Sequence, residues 1–438
     1  MKSNLLAVLG FLLLCSAAFA QSPDPQLLSE IQKIKAIDNH SHPPRLVAPN
    51  ETDDEFDALP CDPLEPSDPP TANRPENPQF LAAWKSLWGY KYDDKAEPHI
   101  RELLATKARI RQEQGDNYLN WVLDQLGIES ELANRIALGR GLTPPHFRWV
   151  PFDDALLFPL SNTRLAEASP DRKFFFSRED MLLARYRKDV GVAAPPSSLD
   201  DYLKSVVIPE LEKQKQQGAV AIKFEAAYLR SLDFEPAARD DAGAIYAKYF
   251  REGLPPAADY TRLQDFLFRY VAAEAGHLNL PVHIHTGAGC GTYFNLYGSE
   301  PMRLESVFND PSLRKTKFVM LHGGSGPFTR EIGYLLMKPN VYADFSEQTW
   351  MTSARALSQV IRDWLEWYPE KVLFGTDLFP GKAEYDWEEI GWQTTQNART
   401  ALAMALSGMM QDGEISRARA SELAHMALHD NAAKLYGW

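Results

Sequence analysis

Short apolar runs alternate with longer amphipathic stretches along most of the chain. The short runs predict buried strands, and stretches with apolar residues three or four positions apart predict helices. The predicted strands are 34–38, 135–138, 147–151, 219–224, 282–285, 317–322, 341–344 and 372–376. The helices predicted between them include 199–217, 260–278, 327–338 and 354–368. This rhythm predicts an α/β fold with a parallel sheet, and eight units favour a closed (β/α)8 TIM barrel over an open sheet.

Two regions fall outside this rhythm. The segment 44–130 starts rich in Pro, Asp and Glu and continues with helical patterns, so we interpret it as a helical insertion or cap after strand 1. The role of its aromatic residues is open between a lid over the barrel mouth, a structural cap packed on the barrel and a subunit interface: Phe56, Phe80, Trp84, Trp88, Tyr90 and Tyr92. Extra C-terminal helices are predicted at 389–408 and 414–436, against the outside of the barrel.

The first residues have the parts of a secretory signal peptide. Lys2 supplies a basic start, an apolar stretch follows, and an A-x-A cleavage motif lies at 18–20. The apolar stretch is shorter than the roughly 20 residues that span a bilayer. We therefore predict a signal peptide at 1–20, cleaved after its last alanine. The mature chain, 21–438, is then a secreted or periplasmic barrel protein without a membrane span.

The charge of the chain limits the classes of partner, and its cysteine content bears on whether it forms a disulfide. The formal net charge is −13, which argues against nucleic acid because a phosphate backbone requires a basic face. Cys15 leaves with the signal peptide, so the mature chain keeps Cys61 and Cys290. We expect no disulfide between them, because a domain of this size buries enough apolar surface without one. The expected partner is a small-molecule substrate, and a homo-oligomer is compatible with the sequence.

Histidines lie at the carboxyl ends of three predicted strands. They are His40 and His42, then His285, then His322, and Asp377 follows the last predicted strand. In a barrel these strand ends meet at one mouth, and residues two apart on a strand project to the same side. The alternative is a purely structural role, in which the histidines form hydrogen bonds in the core and Asp377 caps the next segment. Placements repeated in order along the barrel favour a metal site instead.

A lysine and a glutamate mark the predicted fourth strand. Lys223 and Glu225 are two positions apart and face the same way. A lysine inside a barrel mouth is costly unless it is paired or modified. Two interpretations stay open: a carboxylated Lys223 that bridges two metals, or an ordinary ammonium that binds a substrate carboxylate.

An ordered set of motifs resembles the amidohydrolase superfamily of metal-dependent (β/α)8-barrel enzymes: IDNHSHP, ANRIALGRGL, AIKFEAAY, PVHIHTGAG, MLHGGSGPF and VLFGTD. The similarity is to the amidohydrolase-related branch, which also includes aminocarboxymuconate-semialdehyde-decarboxylase-like enzymes. It covers about residues 34–438 and is weak over 44–130. The resemblance implies metal ligation by His40, His42, His285 and Asp377. Lys223 and His322 complete the set of candidate ligands, although branches of the superfamily differ at the strand of Lys223, so its carboxylation is not implied.

The resemblance also implies roles within this set. Asp377 takes a proton from a metal-activated water, and His322 is a ligand of a second metal or a catalytic acid and electrophile. His283 departs from the family pattern and is interpreted as supporting the ligands or facing the substrate. The cofactor is one or two divalent ions, zinc first, with manganese, iron or nickel as alternatives.

The expected reaction is hydrolysis of an amide, lactone or ester bond in a small molecule. The alternative is metal-dependent decarboxylation of an aromatic or muconate-type acid, with Arg45, Arg140 or Arg230 as the carboxylate anchor. A third possibility, a binding protein with a decayed site, fits poorly because the ligand set is complete.

Overall fold

The computed structural model describes residues 22–48, 51–66 and 68–438, so the predicted signal peptide lies outside the described residues. Within them, parallel strands form two sheets, with β1 to β3 in one and β4 to β8 in the other. The strands are β1 (Ala36–Ser41), β2 (Ile128–Asn134), β3 (Phe147–Val150), β4 (Ile222–Phe224), β5 (Val282–His285), β6 (Phe318–Leu321), β7 (Val341–Asp344) and β8 (Val372–Leu373).

Backbone contacts join the two sheets into a ring. An isolated parallel bridge pairs Phe152, just beyond β3, with Lys223 on β4. On the other side, the Asp377 N–H donates to the His40 carbonyl oxygen at 2.8 Å, just beyond β8. The strands therefore follow one another around a closed barrel, and the predicted TIM barrel is confirmed.

Helices surround this ring. Those of six or more residues are α1 (Pro25–Ile31), α2 (Pro78–Trp88), α3 (Glu97–Gln114), α4 (Tyr118–Leu126), α5 (Pro170–Asp189), α6 (Ile208–Gln216), α7 (Arg239–Glu252), α8 (Ala257–His277), α9 (Thr329–Leu335), α10 (Ala354–Trp367), α11 (Trp387–Gln411), α12 (Arg417–His425) and α13 (Asn431–Tyr436). No helix in the described part of the chain combines the length and apolar character needed to cross a membrane.

The predicted second strand, 135–138, is wrong. The strand β2 lies earlier and carries Ser130 and Glu131, which are buried. The Ser41 hydroxyl donates to Glu131 Oε1 at 2.7 Å, and burial, followed by the nearby Asp38, raises the pKa of this carboxyl well above its usual value. A search for apolar runs does not detect a strand that contains buried polar residues. Beyond β2, residues 135–146 form an irregular connection to β3, and the helices α5 and α7 were not predicted.

The insertion builds a second hydrophobic core. Trp84, Trp88 and Leu103 from α2 and α3 pack with residues of α4 and the start of α11. Most of the insertion's aromatic residues therefore act as a cap on the outside of the barrel. Phe56 differs, because its ring centroid lies 6.2 Å from that of His42 at the mouth.

The last helix closes one end of the barrel interior. Ala432 and Leu435 of α13 form one cluster with strand residues such as Ile37, Leu132 and Val319. The prediction that the C-terminal helices pack only against the outside is wrong for these turns. The physical reason is that α13 presents a small apolar face to the apolar half of the interior, opposite the polar strand ends.

Candidate metal centre and active site

Asp377 lies among imidazoles at the seam between β8 and β1. Its Oδ1 is 3.2 Å from His40 Nε2 and 3.7 Å from His42 Nε2, and its Oδ2 is 3.9 Å from His322 Nδ1. His40, His322 and Asp377 offer ligand atoms that all lie within 4.8 Å of one another. The structure thus brings together four of the predicted ligands at the carboxyl ends of the strands.

Local backbone conformation aims these side chains. Outside glycine, the described residues with positive φ include His322 (63°), Glu347 (56°) and Asp377 (53°). This conformation is unfavourable for residues with a side chain and is often found at functional sites. Hydrogen bonds hold two of them: the His322 N–H donates to Asp344 Oδ1 at 2.8 Å, and the Asp377 N–H donates to the His40 carbonyl.

His285 lies beside this group. Its ring centroid is 4.6 Å from that of His322, and its Nε2 is 2.6 Å from the Ala288 carbonyl oxygen. Because a carbonyl only accepts, Nε2 carries the hydrogen and Nδ1 keeps the lone pair. Burial, followed by the charge of Lys223, lowers the pKa of His285 to about 3. His285 is therefore a neutral imidazole with one nitrogen available as a ligand.

The His283 side chain contacts the C-terminal helix α13. Its Nε2 is 2.7 Å from the Tyr436 hydroxyl, which donates to Asn39 Oδ1 at 2.5 Å. The Asn39 amide in turn donates to Asp344 Oδ2 at 2.7 Å. Of the two interpretations of His283, this favours support of the site, since the chain of bonds ends on the carboxylate that holds the His322 backbone.

Lys223 and Glu225 form an ion pair inside the barrel. Lys223 Nζ lies 3.4 Å from Glu225 Oε1, and the lysine side chain is fully buried. Burial raises the pKa of Glu225, while the charge of Lys223 acts in the opposite direction. The pair therefore places a lysine ammonium close to the histidines, with the Glu225 carboxylate beside it to balance its charge. Carboxylation of Lys223 stays a prediction.

The electrostatics of the cluster suit a cation. Burial, and next the charge of Lys223, lowers the pKa of His40 well below its usual value. Burial, and next the neighbouring His285 imidazole, which would oppose a second positive charge, does the same to the pKa of His322. Burial and then the nearby Glu347 raise the pKa of Asp377. Neutral imidazoles keep their lone pairs, and a bound cation would offset the crowding of carboxylates.

Buried nitrogen atoms without hydrogen-bond partners test whether these residues fit a metal ion. Neither Nδ1 nor Nε2 of His40 has a hydrogen-bond partner among the described residues, although both are buried. Leaving buried polar atoms unpaired is costly, and metal coordination is one of the few ways to satisfy a buried imidazole nitrogen. Two imidazoles and a carboxylate match the donors that zinc prefers and also accept manganese. The residues present therefore fit a divalent metal.

The expectation of two free cysteines in the mature chain is wrong. Cys61 and Cys290 form a disulfide across a sequence separation of 229 residues. The expectation rested on the size of the domain, which indicates only whether the fold needs a disulfide for stability. Whether the two cysteines meet depends on the path of the insertion. The disulfide joins the insertion to the loop that follows His285.

Two residues of the site were missed at the sequence level. Glu347 follows β7 by three positions, so the rule that polar residues at strand ends line the mouth would have found it. The Ser325 hydroxyl donates to its carboxylate. Asp57 lies 3.2 Å from His42 Nδ1, and it comes from a long irregular loop that carries no comparable signal.

Comparisons with known proteins identify the family and the fold of this chain. The sequence model of the amidohydrolase family matches residues 210–438, just over half of the chain. No curated protein matches significantly. A solved structure from Lactobacillus casei, described as a metal-dependent hydrolase, is 16% identical with a TM-score of 0.57, over 95% of this chain and 92% of that one.

Two sugar-acid isomerases share the fold as well. Uronate isomerase from Thermotoga maritima is 13% identical with a TM-score of 0.56, over 94% of this chain and 96% of that one. Glucuronate isomerase from Caulobacter crescentus is 12% identical with a TM-score of 0.54, over 96% of each chain. At such identities the similarity shows the fold alone. Taken with the family match and the strand-end histidines, it establishes that this chain belongs to the amidohydrolase family of metal-dependent barrel enzymes.

Proposed function

We propose that this protein is an exported metal-dependent hydrolase that cleaves an amide, lactone or ester bond in a small molecule. The observation that carries the proposal is the position of the Asp377 carboxylate, 3.2 Å from His40 Nε2 and 3.9 Å from His322 Nδ1. A metal ligand, a proton carrier and a hydrogen-bond donor are thereby within reach of one reacting atom.

Each residue has a defined task in this proposal. A divalent ion held by His40, His42 and Asp377 would lower the pKa of a water molecule to roughly 7 and polarise a carbonyl. Asp377 accepts the proton that the attacking water loses and passes it to the leaving group. His322, kept neutral by burial, donates an N–H to the carbonyl oxygen as negative charge develops there.

The surroundings of the centre favour a substrate with an apolar or aromatic body. Phe56 and Phe152 lie beside His42, with ring centroids 6.2 and 6.3 Å away. On the opposite side, the Tyr228 ring centroid is 4.8 Å from that of His285. Aromatic walls exclude water and contact apolar groups.

The decarboxylase alternative has less support. Each arginine considered as a carboxylate anchor is already paired with an acidic residue: Arg45 with Asp53, Arg140 with Asp116 and Arg230 with Asp265. Recruiting one of them to a substrate would break an existing ion pair. Hydrolysis requires no such anchor.

Export is supported by two independent features. The first is the signal-peptide pattern at 1–20. The second is the Cys61–Cys290 disulfide, a bond typical of oxidising compartments. Expression with the native leader in a bacterial host should yield a secreted or periplasmic protein whose first residue, by mass spectrometry, is Gln21. Retention of the leader in the cytoplasm would contradict this.

The reaction is tested with the mature chain, 21–438, on chromogenic esters, lactones and anilides with aromatic groups. We expect one or two divalent ions per chain by elemental analysis and loss of turnover after chelation. Turnover should return with Zn²⁺ or Mn²⁺. With ¹⁸O-labelled water, the label should appear in the acid product.

Substitutions tie that activity to the centre. His40→Ala should lose both metal and turnover, whereas His425→Ala, an exposed histidine on α12, should keep both. Full activity in chelated protein would contradict the proposal. Release of carbon dioxide from an aromatic acid without ¹⁸O incorporation would favour decarboxylation instead.

A further inference from the structure

Part of the insertion crosses the mouth of the barrel, and we call residues 53–65 the strap. One end is held by Asp53, whose Oδ1 accepts from Arg135 Nη2 at 2.7 Å. Near the other end, the Thr292 hydroxyl donates to the Glu65 carbonyl at 3.4 Å. Between these anchors the strap reaches both the metal centre and the loop after β5.

The strap contacts the centre through Asp57. Its Oδ2 lies 3.2 Å from His42 Nδ1, and both side chains are 11% exposed. The other ring nitrogen, Nε2, lies 3.7 Å from Asp377 Oδ1. The imidazole is therefore held between two carboxylates, one from the strap and one from the centre. His42 Nδ1 is buried and has no hydrogen-bond partner of good geometry among the described residues, so Asp57 Oδ2 is the acceptor in place for it. When this carboxylate accepts from Nδ1–H, the lone pair stays on Nε2, where a metal would bind.

The strap holds Asp57 in this orientation. The Leu59 N–H donates to Asp57 Oδ1 at 2.9 Å, so the two carboxylate oxygens face different partners. Arg178 Nη2 donates to the Asp57 carbonyl at 2.9 Å. Ala58 and Leu59 are buried in the main core. The carboxylate is thus positioned by the strap and not by the segment directly after β1, to which His42 belongs.

The disulfide fastens the strap four residues further on. Cys61 lies in the strap, and Cys290 lies in the loop after His285. The Cys290 N–H donates to the Tyr228 hydroxyl at 3.3 Å, and the Tyr228 ring packs against His285. The covalent link therefore joins the carboxylate partner of one predicted ligand to the surroundings of another. Cys61 is exposed, so a reductant can reach the bond.

We propose that Asp57 is a positioning residue for His42 and that the Cys61–Cys290 disulfide keeps it in place, so that divalent-metal affinity depends on the oxidation state of the two cysteines. The inference rests on the proposed metal centre. A dithiol would supply two electrons and two protons, the S–S bond would break to give two thiols, and the dithiol would become a disulfide. The strap would then be free to withdraw Asp57 from His42.

The first arm of the test measures Zn²⁺ affinity by competition with a chromophoric chelator. We expect Asp57→Asn to weaken Zn²⁺ binding by about 10- to 100-fold, the usual cost of losing a partner that orients a metal ligand. Asp62→Asn removes an exposed carboxylate from the same strap and should change affinity less than about twofold. In the Co²⁺-loaded protein, Asp57→Asn should also alter the visible absorption bands. A purely structural role would leave these bands unchanged.

The second arm addresses the disulfide. Reduction of the wild-type protein, or Cys61→Ser, should weaken Zn²⁺ binding to a similar degree. Adding Asp57→Asn to Cys61→Ser should then cost little more, because both changes act through one contact. The reduced wild type carries no substitution, so it tests the idea even if a variant folds poorly.

The outcomes separate two failures. If the wild type binds no divalent metal, the proposed function and this inference both fail. If the wild type binds Zn²⁺ and Asp57→Asn binds it equally well, the positioning role alone is overturned. Weaker binding by Asp57→Asn with unchanged binding after reduction overturns the redox dependence.

Discussion

Asp377 and His40 are joined twice. The Asp377 N–H donates to the His40 carbonyl oxygen at 2.8 Å, and Asp377 Oδ1 lies 3.2 Å from His40 Nε2. The backbone bond helps to close the barrel between β8 and β1, and the side-chain contact defines the candidate centre. Barrel closure therefore sets the distance between two predicted metal ligands.

Replacement of Asp377 by asparagine should separate these two roles. Asparagine tolerates positive φ and keeps the backbone donor, so the barrel seam should survive. Loss of the carboxylate removes a ligand and the proton acceptor, and turnover should fall by about 10²- to 10⁴-fold. Metal content by elemental analysis should fall together with kcat/KM. A fully loaded, fully active Asp377→Asn variant would exclude the assigned role.

Metal removal should lower thermal stability. A ligand that binds only the folded state adds about 2.7 kcal/mol to the free energy of unfolding at 100 times its Kd. The unfolding temperature of chelated protein should therefore be lower and should rise with added Zn²⁺ or Mn²⁺. The His40→Ala variant serves as the control, because its unfolding temperature should not respond to the metal. An identical response in both proteins would place the metal elsewhere.

The Tyr436 hydroxyl should contribute to stability. It connects His283 with Asn39, and Tyr436→Phe leaves both buried partners without that bond. Unpaired buried polar groups cost about 1–3 kcal/mol, so the free energy of unfolding in urea should fall by that amount. Tyr334→Phe is the matched control, since Tyr334 is 53% exposed. Equal stability of the two variants would show that the bond contributes nothing.

Glu179 on α5 should make stability depend on pH. It is 1% exposed, and burial followed by the charges of Asp154 and Glu225 raises its pKa well above the usual 4.5. The folded state therefore keeps a proton that the unfolded state releases above about pH 4.5. Stability falls as pH rises through this window, by up to about 1.4 kcal/mol per pH unit.

The Glu179→Gln variant tests this dependence, because it cannot titrate. Its free energy of unfolding should fall less than that of the wild type between pH 5 and pH 8. Glu167→Gln, at an exposed position, should follow the wild type. Parallel curves for the wild type and Glu179→Gln would refute the assignment.

The strand-end residues could be read from the sequence because strands obey a local rule. The spacing of His40 and His42, and the position of Asp377 directly after an apolar run, depend only on neighbouring residues. Parallel strands then bring these ends to one mouth, and the structure brings these three residues together with His322. The same rule, applied to the residues after β7, would also have indicated Glu347.

Local patterns failed where polar residues are buried or where segments are irregular. The position of β2 was predicted wrongly because the strand contains the polar residues Ser130 and Glu131. Their hydrogen-bond partners, the Pro145 carbonyl and the Ser41 hydroxyl, lie outside the strand and cannot be read from it. The role of each part of the insertion likewise depends on tertiary packing. Its helices form a cap, and the strap crosses the mouth.

Local periodicity and short motifs were therefore enough to predict the barrel, the family resemblance and a set of metal ligands. The contacts of Asp57 with His42, of Cys61 with Cys290 and of His283 with Tyr436 became visible in the folded chain alone. Each of these contacts joins a strand or loop to a distant part of the chain. Their formation depends on loop paths and packing that no local pattern of residues encodes.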